Sequence, residues 1–495
     1  MEAGVGRASF LSSGDDALST DPSPKRERAV SFVASRSTDV AFTFVVAAVA
    51  LLPRLFVALA WPREPVWDGH YYHFGALRIA EGLGYSEDIV RNGVVTWHPW
   101  AHYPVGYSAL LGAVYRIAGG GLSVGPVVNA VTGTLLVVVV HRLSLRGLTV
   151  NRARFAAALT ALHPGLIIYS AVLMNEGLSA LLVLAGAWVA ARRLTWSSAV
   201  LAGVAFGLAT LVRPSSLFVA PFVALILPLP RLTALARGAV VTVVAVATVL
   251  PWTFRNCRVM DGCALVSTNG GWNLAIGALT PTGRFHTLHA SDGCPVVTGQ
   301  VQQDRCWAEV GVNVIERDPL HFLGLVPKKL AQTYDHESFA IEYLREADPE
   351  AWPESRRVAG RALLSVFHQM LLVAAALGMV ALPSPRRLGV LGTVVQGTLL
   401  LGILGFAAYA ATAGDHPFWV LPALMPIVGL LPFPGAPSLS SVDRFLLGFV
   451  FVTTLTHAVF FGDDRYHLVV TPALCILAAG ALLRLARRPA PSVAG

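Results

Sequence analysis

Residues 40–61 read VAFTFVVAAVALLPRLFVALAW, an apolar block whose one charge is Arg54, and Trp67-Asp68-Gly69-His70-Tyr71-Tyr72 stands just beyond it. An α-helix needs about 20 apolar residues to cross a bilayer, and this block supplies them. Its end, Ala58-Leu59-Ala60, has the form of a signal-peptidase site. The block is longer than the roughly 7–15-residue core of a signal peptide, so the reading is a retained anchor. Working outward, similar blocks recur at about 122–141, 155–173, 177–191, 197–212, 215–229, 238–253, 362–382, 389–411, 417–433, 442–461 and 467–486. The whole chain is 55% hydrophobic and 13% charged, with a mean hydropathy of +0.61. Soluble domains carry about 25% charged residues, so a single water-soluble domain is excluded. The sequence predicts an all-α polytopic membrane protein with about twelve transmembrane helices.

Orientation follows from the basic joints, which favour the cytoplasmic side. Arg142, Arg146, Arg152 and Arg154 form one cluster, and Arg192 with Arg193 a second. Arg231 with Arg237, Arg386 with Arg387, and Arg484, Arg487 and Arg488 complete the set. All fall on one side only if the short apolar piece 104–118 lies on the outer surface or re-enters instead of spanning. The organisation expected is then a disordered cytoplasmic tail (1–38), a transmembrane module (39–253) with an outer segment at 62–121, an extracytoplasmic loop region (254–360), C-terminal transmembrane helices (361–488) and a short cytoplasmic tail (489–495). Tyr71, Tyr72, Phe74, Leu77, Ile79 and Ala80, with Arg78 and Glu81 among them, predict an amphipathic helix at the membrane surface. The net charge of +8 belongs to the joints, and no aromatic-interleaved basic patch points to nucleic acid.

Of five cysteines, Cys475 lies in an apolar span, and Cys257, Cys263, Cys294 and Cys306 all lie in the long outer segment. Four thiols confined to the one large loop on an oxidising side suggest two disulfides. Three pairings are open, and Cys257–Cys263 with Cys294–Cys306 joins nearest neighbours. Zinc is the weaker reading: His286 and His289 are near, but no C-x-x-C spacing occurs.

Asp68, the first acid after residues 40–61 and flanked by aromatic rings, is a candidate general base, since partial desolvation makes a carboxylate a better proton acceptor. The blander reading is a helix N-cap. Glu176 follows Tyr169-Ser170-Ala171-Val172-Leu173-Met174-Asn175 at an outer helix end, where an acid is either functional or a solvated loop residue. Arg54 either snorkels or grips a lipid phosphate. Arg213-Pro214 and Gly462-Asp463-Asp464-Arg465-Tyr466-His467 face outward, and their arginines suit bidentate phosphate binding or interface anchoring. His163, beside Pro164, and His457 read as packing residues. The sequence has no P-loop and no G-x-S-x-G, which removes ATP-driven pumps and the commoner hydrolases.

Four ordered motifs resemble the GT-C glycosyltransferases of the protein O-mannosyltransferase and aminoarabinose-transferase type, in the bacterial branch using polyprenyl-phosphate-linked sugars. Asp68-x-x-x-Tyr72-x-x-x-Ala76-x-x-Ile79-Ala80-Glu81-Gly82-x-Gly84-Tyr85 is similar to the family's D-x-x-x-Y…A-x-x-L-A-x-G-x-G-Y pattern. His102-Tyr103-Pro104-Val105-Gly106-Tyr107 resembles its H/K-P-P-x-x-Y element, and residues 169–176 its second outer carboxylate loop. The fourth motif joins Pro251-Trp252-Thr253-Phe254-Arg255-Asn256 with Ser267-Thr268-Asn269-Gly270-Gly271-Trp272-Asn273-Leu274, then Arg465-Tyr466 before the last helix. Two departures stand out. Gly69 replaces a second acid, and Tyr103 stands where a proline is usual.

The resemblance implies a GT-C-like fold with outer juxtamembrane helices and one large extracytoplasmic loop. It implies transfer of a sugar from a polyprenyl-phosphate donor to a lipid, glycan or protein acceptor at the outer face of the cytoplasmic membrane. Asp68 would be the base, with Arg54, His102, Tyr103, Glu176, Arg213, Asn269, Arg465 and Tyr466 as substrate- or phosphate-binding candidates. The Gly69 departure leaves a divalent metal open, with no ligand set named. A secondary transporter or flippase is the rival class, and would need ionisable residues near mid-bilayer and broken helices in paired halves.

Overall fold

A computed structural model describes residues 24–295, 299–380, 385–432 and 439–486. Met1–Phe44 and Val45–Gly495 are separate compact units. The tail expected to be disordered is described only from Pro24, where the Pro24–Ala60 helix begins. Pro is favourable at a first helical position, and Lys25, Arg26, Glu27 and Arg28 that follow are good helix formers. Residues 1–23 and the C-terminal tail lie outside the described residues.

Among the described residues six helices are long and apolar enough to cross a membrane: Asp39–Ala60, Val124–Ser144, Arg231–Val259, Glu354–Met379, Gly389–Thr412 and Ser441–Val459. The chain is a multi-pass membrane protein. Only 11% of the Gly389–Thr412 window is buried within the protein, so an apolar solvent must cover the rest. The other expected spans are shorter or broken helices. Residues 155–173 divide at His163 into Val150–Leu162, Pro164–Ile168 and the 3-10 turn Tyr169–Ala171, because Pro164 forces His163 out of the helical region, to ψ 117°. Residues 215–229 form a 3-10 segment, Pro214–Leu225, with Pro221 inside it. Glu176–Arg192 and Trp196–Val212 are 17 residues each, Val420–Leu430 is 11 and Thr471–Ala486 is 16.

The short Val105–Ala118 helix packs on Asp68–Glu81 and buries Tyr107, Leu111 and Tyr115. Between these two helices an antiparallel hairpin pairs Ser86–Arg91 with Val94–Pro99. Asn92 and Gly93 turn it, both at positive φ (51° and 78°), the combination a two-residue hairpin turn requires. The segment expected to be a large loop, 254–360, is instead largely helical: Gly270–Leu279, Gln300–Arg317, Pro319–Tyr334 and Phe339–Ala347. Cys257 is bonded to Cys263 and Cys294 to Cys306, while Cys475 is free and buried. The second bond lies against Trp307 and Trp272, a small apolar cluster of that segment.

Candidate active site

Asp68 opens the Asp68–Glu81 helix but does not cap it. The cap position belongs to Trp67, whose φ of 52° is left-handed and costs a non-glycine residue on the order of 1–3 kcal/mol. The Phe339–Ala347 helix holds it there. The Trp67 ring lies 5.3 Å from Phe339 and edge-on to Tyr343 at 5.8 Å, and Val66 N–H donates to the Tyr343 hydroxyl at 3.3 Å. The kink frees the Asp68 carboxylate from its own helix end. One oxygen accepts from Tyr103 Oη at 2.8 Å, the other from Arg465 Nη1 at 2.6 Å. The Asp68 side chain keeps 22% of its surface open, and two of its roughly four lone-pair positions are unused.

Gly69 has a steric reason. A Cβ there would strike the Tyr343 hydroxyl and come within 3.0 Å of the Leu173 carbonyl oxygen. The second acid of the resembled motif has no room.

Arg465 extends the cluster. Its Nη2 donates to Tyr466 Oη at 3.3 Å, Nη1 also meets Met174 Sδ at 3.5 Å, and the guanidinium lies 5.0 Å from the ring centroids of both Phe339 and Tyr466. Arg213 approaches the same Tyr466 ring at 4.8 Å and pairs with Glu176 at 3.4 Å. Glu176 is therefore buried and paired, not a solvated loop residue. Arg213 Nη2 donates to His457 Nε2 at 3.1 Å. A guanidinium can only donate, so His457 carries its proton on Nδ1, which donates to the Phe461 carbonyl at 3.1 Å. The His457 ring also stacks on Tyr466 at 4.1 Å, so this histidine belongs to the cluster and is more than packing. Asp463, half-buried beside Arg465, is pushed up by desolvation to about 7, with Arg465 opposing the shift.

These residues stand at helix ends: the N-termini of Asp68–Glu81 and Glu176–Arg192, the C-termini of Trp196–Val212 and Ser441–Val459, and the turn before Thr471–Ala486. Each lies where a helix's own backbone leaves polar groups unpaired. The cavity lined by Glu176, Met174 and Tyr169 holds about 30 Å³, room for a water and not for a sugar ring.

Three candidates behave differently. Arg54 is wholly buried and does not snorkel, and it lines the same small cavity as Glu176. Its Nη1 donates to Ala50 and Ala161 carbonyls at 2.9 and 2.7 Å, its Nη2 to Thr160 at 3.1 Å. It closes the Val150–Leu162 helix, whose last carbonyls the His163–Pro164 break leaves without partners. His102 lies against Tyr103, Trp100 and Trp272, and burial pushes its pKa down to about 4, so it brings no positive charge at neutral pH. Asn269 accepts from Ser267 Oγ at 2.8 Å beside the Gly270–Leu279 helix, and no described contact joins it to Asp68. The rest of that motif is a brace. Arg255 donates to Trp100 and Tyr85 carbonyls at 3.0 and 2.6 Å, and Thr268 N–H donates to Ala101 at 2.8 Å.

Among the described residues no group of three metal-ligating side chains includes Asp68. A separate buried group, Glu337, His368 and His467, brings three ligand atoms within 4.8 Å of one another. Sequence reading missed Glu337 and His368, since no motif frames either one.

No family model matches the chain, and no curated protein matches it. The solved structures similar to it include oligosaccharyltransferases of Archaeoglobus fulgidus. One, tethered by a disulfide to an acceptor peptide containing the NVT sequon, is 15% identical with a TM-score of 0.43, over 90% of this chain and 49% of that one. AglB in complex with an inhibitory peptide and a dolichol-phosphate is 16% identical at 0.42, over 90% and 50%. The apo form is 15% identical at 0.45, also over 90% and 50%. The chain spans about half the length of these structures, and at that identity and TM-score the likeness assigns no role to any residue here.

Proposed function

We propose that the chain is an integral membrane glycosyltransferase of the GT-C type. It moves a sugar from a polyprenyl-phosphate donor to an envelope acceptor (lipid, glycan or protein) at the outer face of the cytoplasmic membrane, with the short helices completing about twelve passes. The observation that carries this reading is the convergence of Asp68, Arg465, Arg213, Glu176 and Tyr466, far apart in sequence, on one cluster at helix ends. A scaffold protein has no use for such a group.

In the proposed reaction the acceptor hydroxyl attacks the anomeric carbon from the face opposite the phosphate. The new C–O bond forms as the bond to the phosphate oxygen breaks, through an oxocarbenium-like transition state that inverts the centre. The hydroxyl proton passes to Asp68, whose free lone pairs accept it while Tyr103 fixes the carboxylate. The leaving phosphate carries the electron pair away, and Arg465 and Arg213 are the cations to receive that charge. Glu176 and His457 hold Arg213 in place, and the Tyr466 ring lies within 5.0 Å of both guanidiniums. The 254–360 segment would close over donor and acceptor.

The test uses the purified full-length protein in lipid nanodiscs, polyprenyl-phosphate sugars as donors and envelope extracts as acceptors, read by mass spectrometry. The wild type should join sugar covalently to an acceptor. Asp68→Asn keeps the shape and should lower product about 10²–10⁴-fold with normal folding. Near-wild-type transfer by that variant would leave Asp68 a structural partner of Arg465. The rival transporter or flippase reading draws on the helix broken at His163 and Pro164. It predicts translocation of lipid-linked sugar with no covalent product.

A further inference from the structure

We infer that Glu337, His368 and His467 form a buried binding site for one divalent transition metal of the zinc class. Glu337 lies between the Pro319–Tyr334 and Phe339–Ala347 helices, His368 within Glu354–Met379, and His467 in the turn before the last helix. All three side chains are 1% exposed or less.

The proton positions on the two rings follow from the backbone. His467 Nδ1 lies 2.7 Å from the Thr333 carbonyl, and His368 Nε2 lies 3.0 Å from the Tyr334 carbonyl. A carbonyl only accepts, so those nitrogens carry the protons, and in neutral rings the opposite nitrogens present bare lone pairs. Those opposite nitrogens, His467 Nε2 and His368 Nδ1, have no hydrogen-bond partner, and neither does either oxygen of Glu337. His467 Nε2 lies 3.6 Å from Glu337 Oε2.

One acceptor atom from each residue thus lies within 4.8 Å of the other two, with no donor among them in these tautomers, an arrangement that costs free energy unless a proton or a cation joins them. Histidine pairs held by backbone carbonyls on the far nitrogen are what metal ligands show, because the outer bond fixes tautomer and ring direction. Two imidazoles and a carboxylate suit zinc. The carboxylate lies directly over Gly165, where a Cβ would overlap it, so a glycine is what lets Glu337 reach the two rings. The His368 and His467 rings stack at 3.7 Å and 22°, so one ring would turn about its side-chain bonds for both lone pairs to reach a shared ion. The ion would pin the turn that carries Arg465 and Tyr466, two residues before His467. Metal binding itself does not depend on the role given to Asp68.

The test is metal content of the tag-free, full-length protein in detergent, after a chelator wash and reloading with zinc(II) alone. One tightly held zinc per chain is expected by mass spectrometry of the metal, with a raised melting temperature over the stripped protein. Cobalt(II) in its place should give visible ligand-field bands of a histidine site. Glu337→Gln and His368→Gln should each lower zinc affinity at least tenfold, while a pair elsewhere in the 254–360 segment changed together, His286→Ala with His289→Ala, should leave it unchanged. A substoichiometric metal content with no thermal shift in the wild type would overturn the site and leave a buried Glu337–His467 proton-sharing pair. Retention by both glutamine variants, or loss in the His286/His289 variant, would overturn it as well. If a glutamine variant fails to fold, the wild-type zinc stoichiometry and cobalt spectrum decide.

Discussion

Gly69 shows how the residue beside a candidate base is fixed by packing. Its missing side chain leaves space that the Tyr343 hydroxyl fills, and Tyr343 in turn supports Trp67 in its left-handed conformation. Adding even one methyl group should therefore act through that hydroxyl. Overpacking a tight site costs about 1–3 kcal/mol, and Gly69→Ala is expected to fall in this range by thermal or denaturant unfolding in detergent. In a Tyr343→Phe background the clashing oxygen is gone, and the cost of Gly69→Ala should shrink by more than half. Equal costs in both backgrounds would mean that the Leu173 carbonyl, or the helix start itself, sets the constraint. The same residue explains why the resembled Asp-acid pair is absent: the space belongs to an aromatic residue of the outer helices.

Among the elements, those with strong periodic signals were legible and those with mixed signals were not. The amphipathic run at Tyr71–Ala80 became the Asp68–Glu81 helix, and the short apolar run became Val105–Ala118 packed on it. The hairpin carries its Asn92-Gly93 signature, but its first strand, Ser86–Arg91, lacks the apolar alternation that marks a half-buried strand. The outer helices were hidden for another reason: Gln300–Arg317 is too polar to register in a search for spans. Asp68, Arg213 and Arg465 stood out as charges at helix ends, whereas Arg54 misled, since its carbonyl partners depend on a helix break more than a hundred residues away. The two disulfides hold the outer helices locally. They close loops of 6 and 12 residues, so each is expected to stabilise the folded state by about 2–3 kcal/mol. Intact mass after alkylation under denaturing, non-reducing conditions should show modification of Cys475 alone, and reduction should then lower the melting temperature. Alkylation of more than one thiol before reduction would refute this pairing.

At the scale of the whole bundle, the candidate site and the basic joints lie at opposite helix ends. Glu176–Arg192 begins at the cluster and ends in Arg192. Trp196–Val212 starts near Arg193 and returns to Arg213 at the cluster. Ser441–Val459 starts at Asp443, which takes two hydrogen bonds from Arg152 of a basic joint, at 2.6 and 3.0 Å, and ends beside His457. Arg231–Val259 runs from Arg231 to the Cys257–Cys263 bond. Basic joints prefer the cytoplasmic face and disulfides an oxidising one. Under the proposed orientation both signals would put the same end of the bundle outside, and that end carries Asp68. Single cysteines separate this orientation from its inverse, because Cys475 is buried and the other four native thiols are bonded. Glu350→Cys, exposed in the outer segment, should react with a membrane-impermeant thiol reagent in intact cells. Ser197→Cys, exposed beside Arg192 and Arg193, should react only after the membrane is opened. The reverse pattern would put the Asp68 cluster in the cytoplasm. There the disulfides would not persist and no outward-facing acceptor could reach the base, so the proposed reaction would fail together with the orientation.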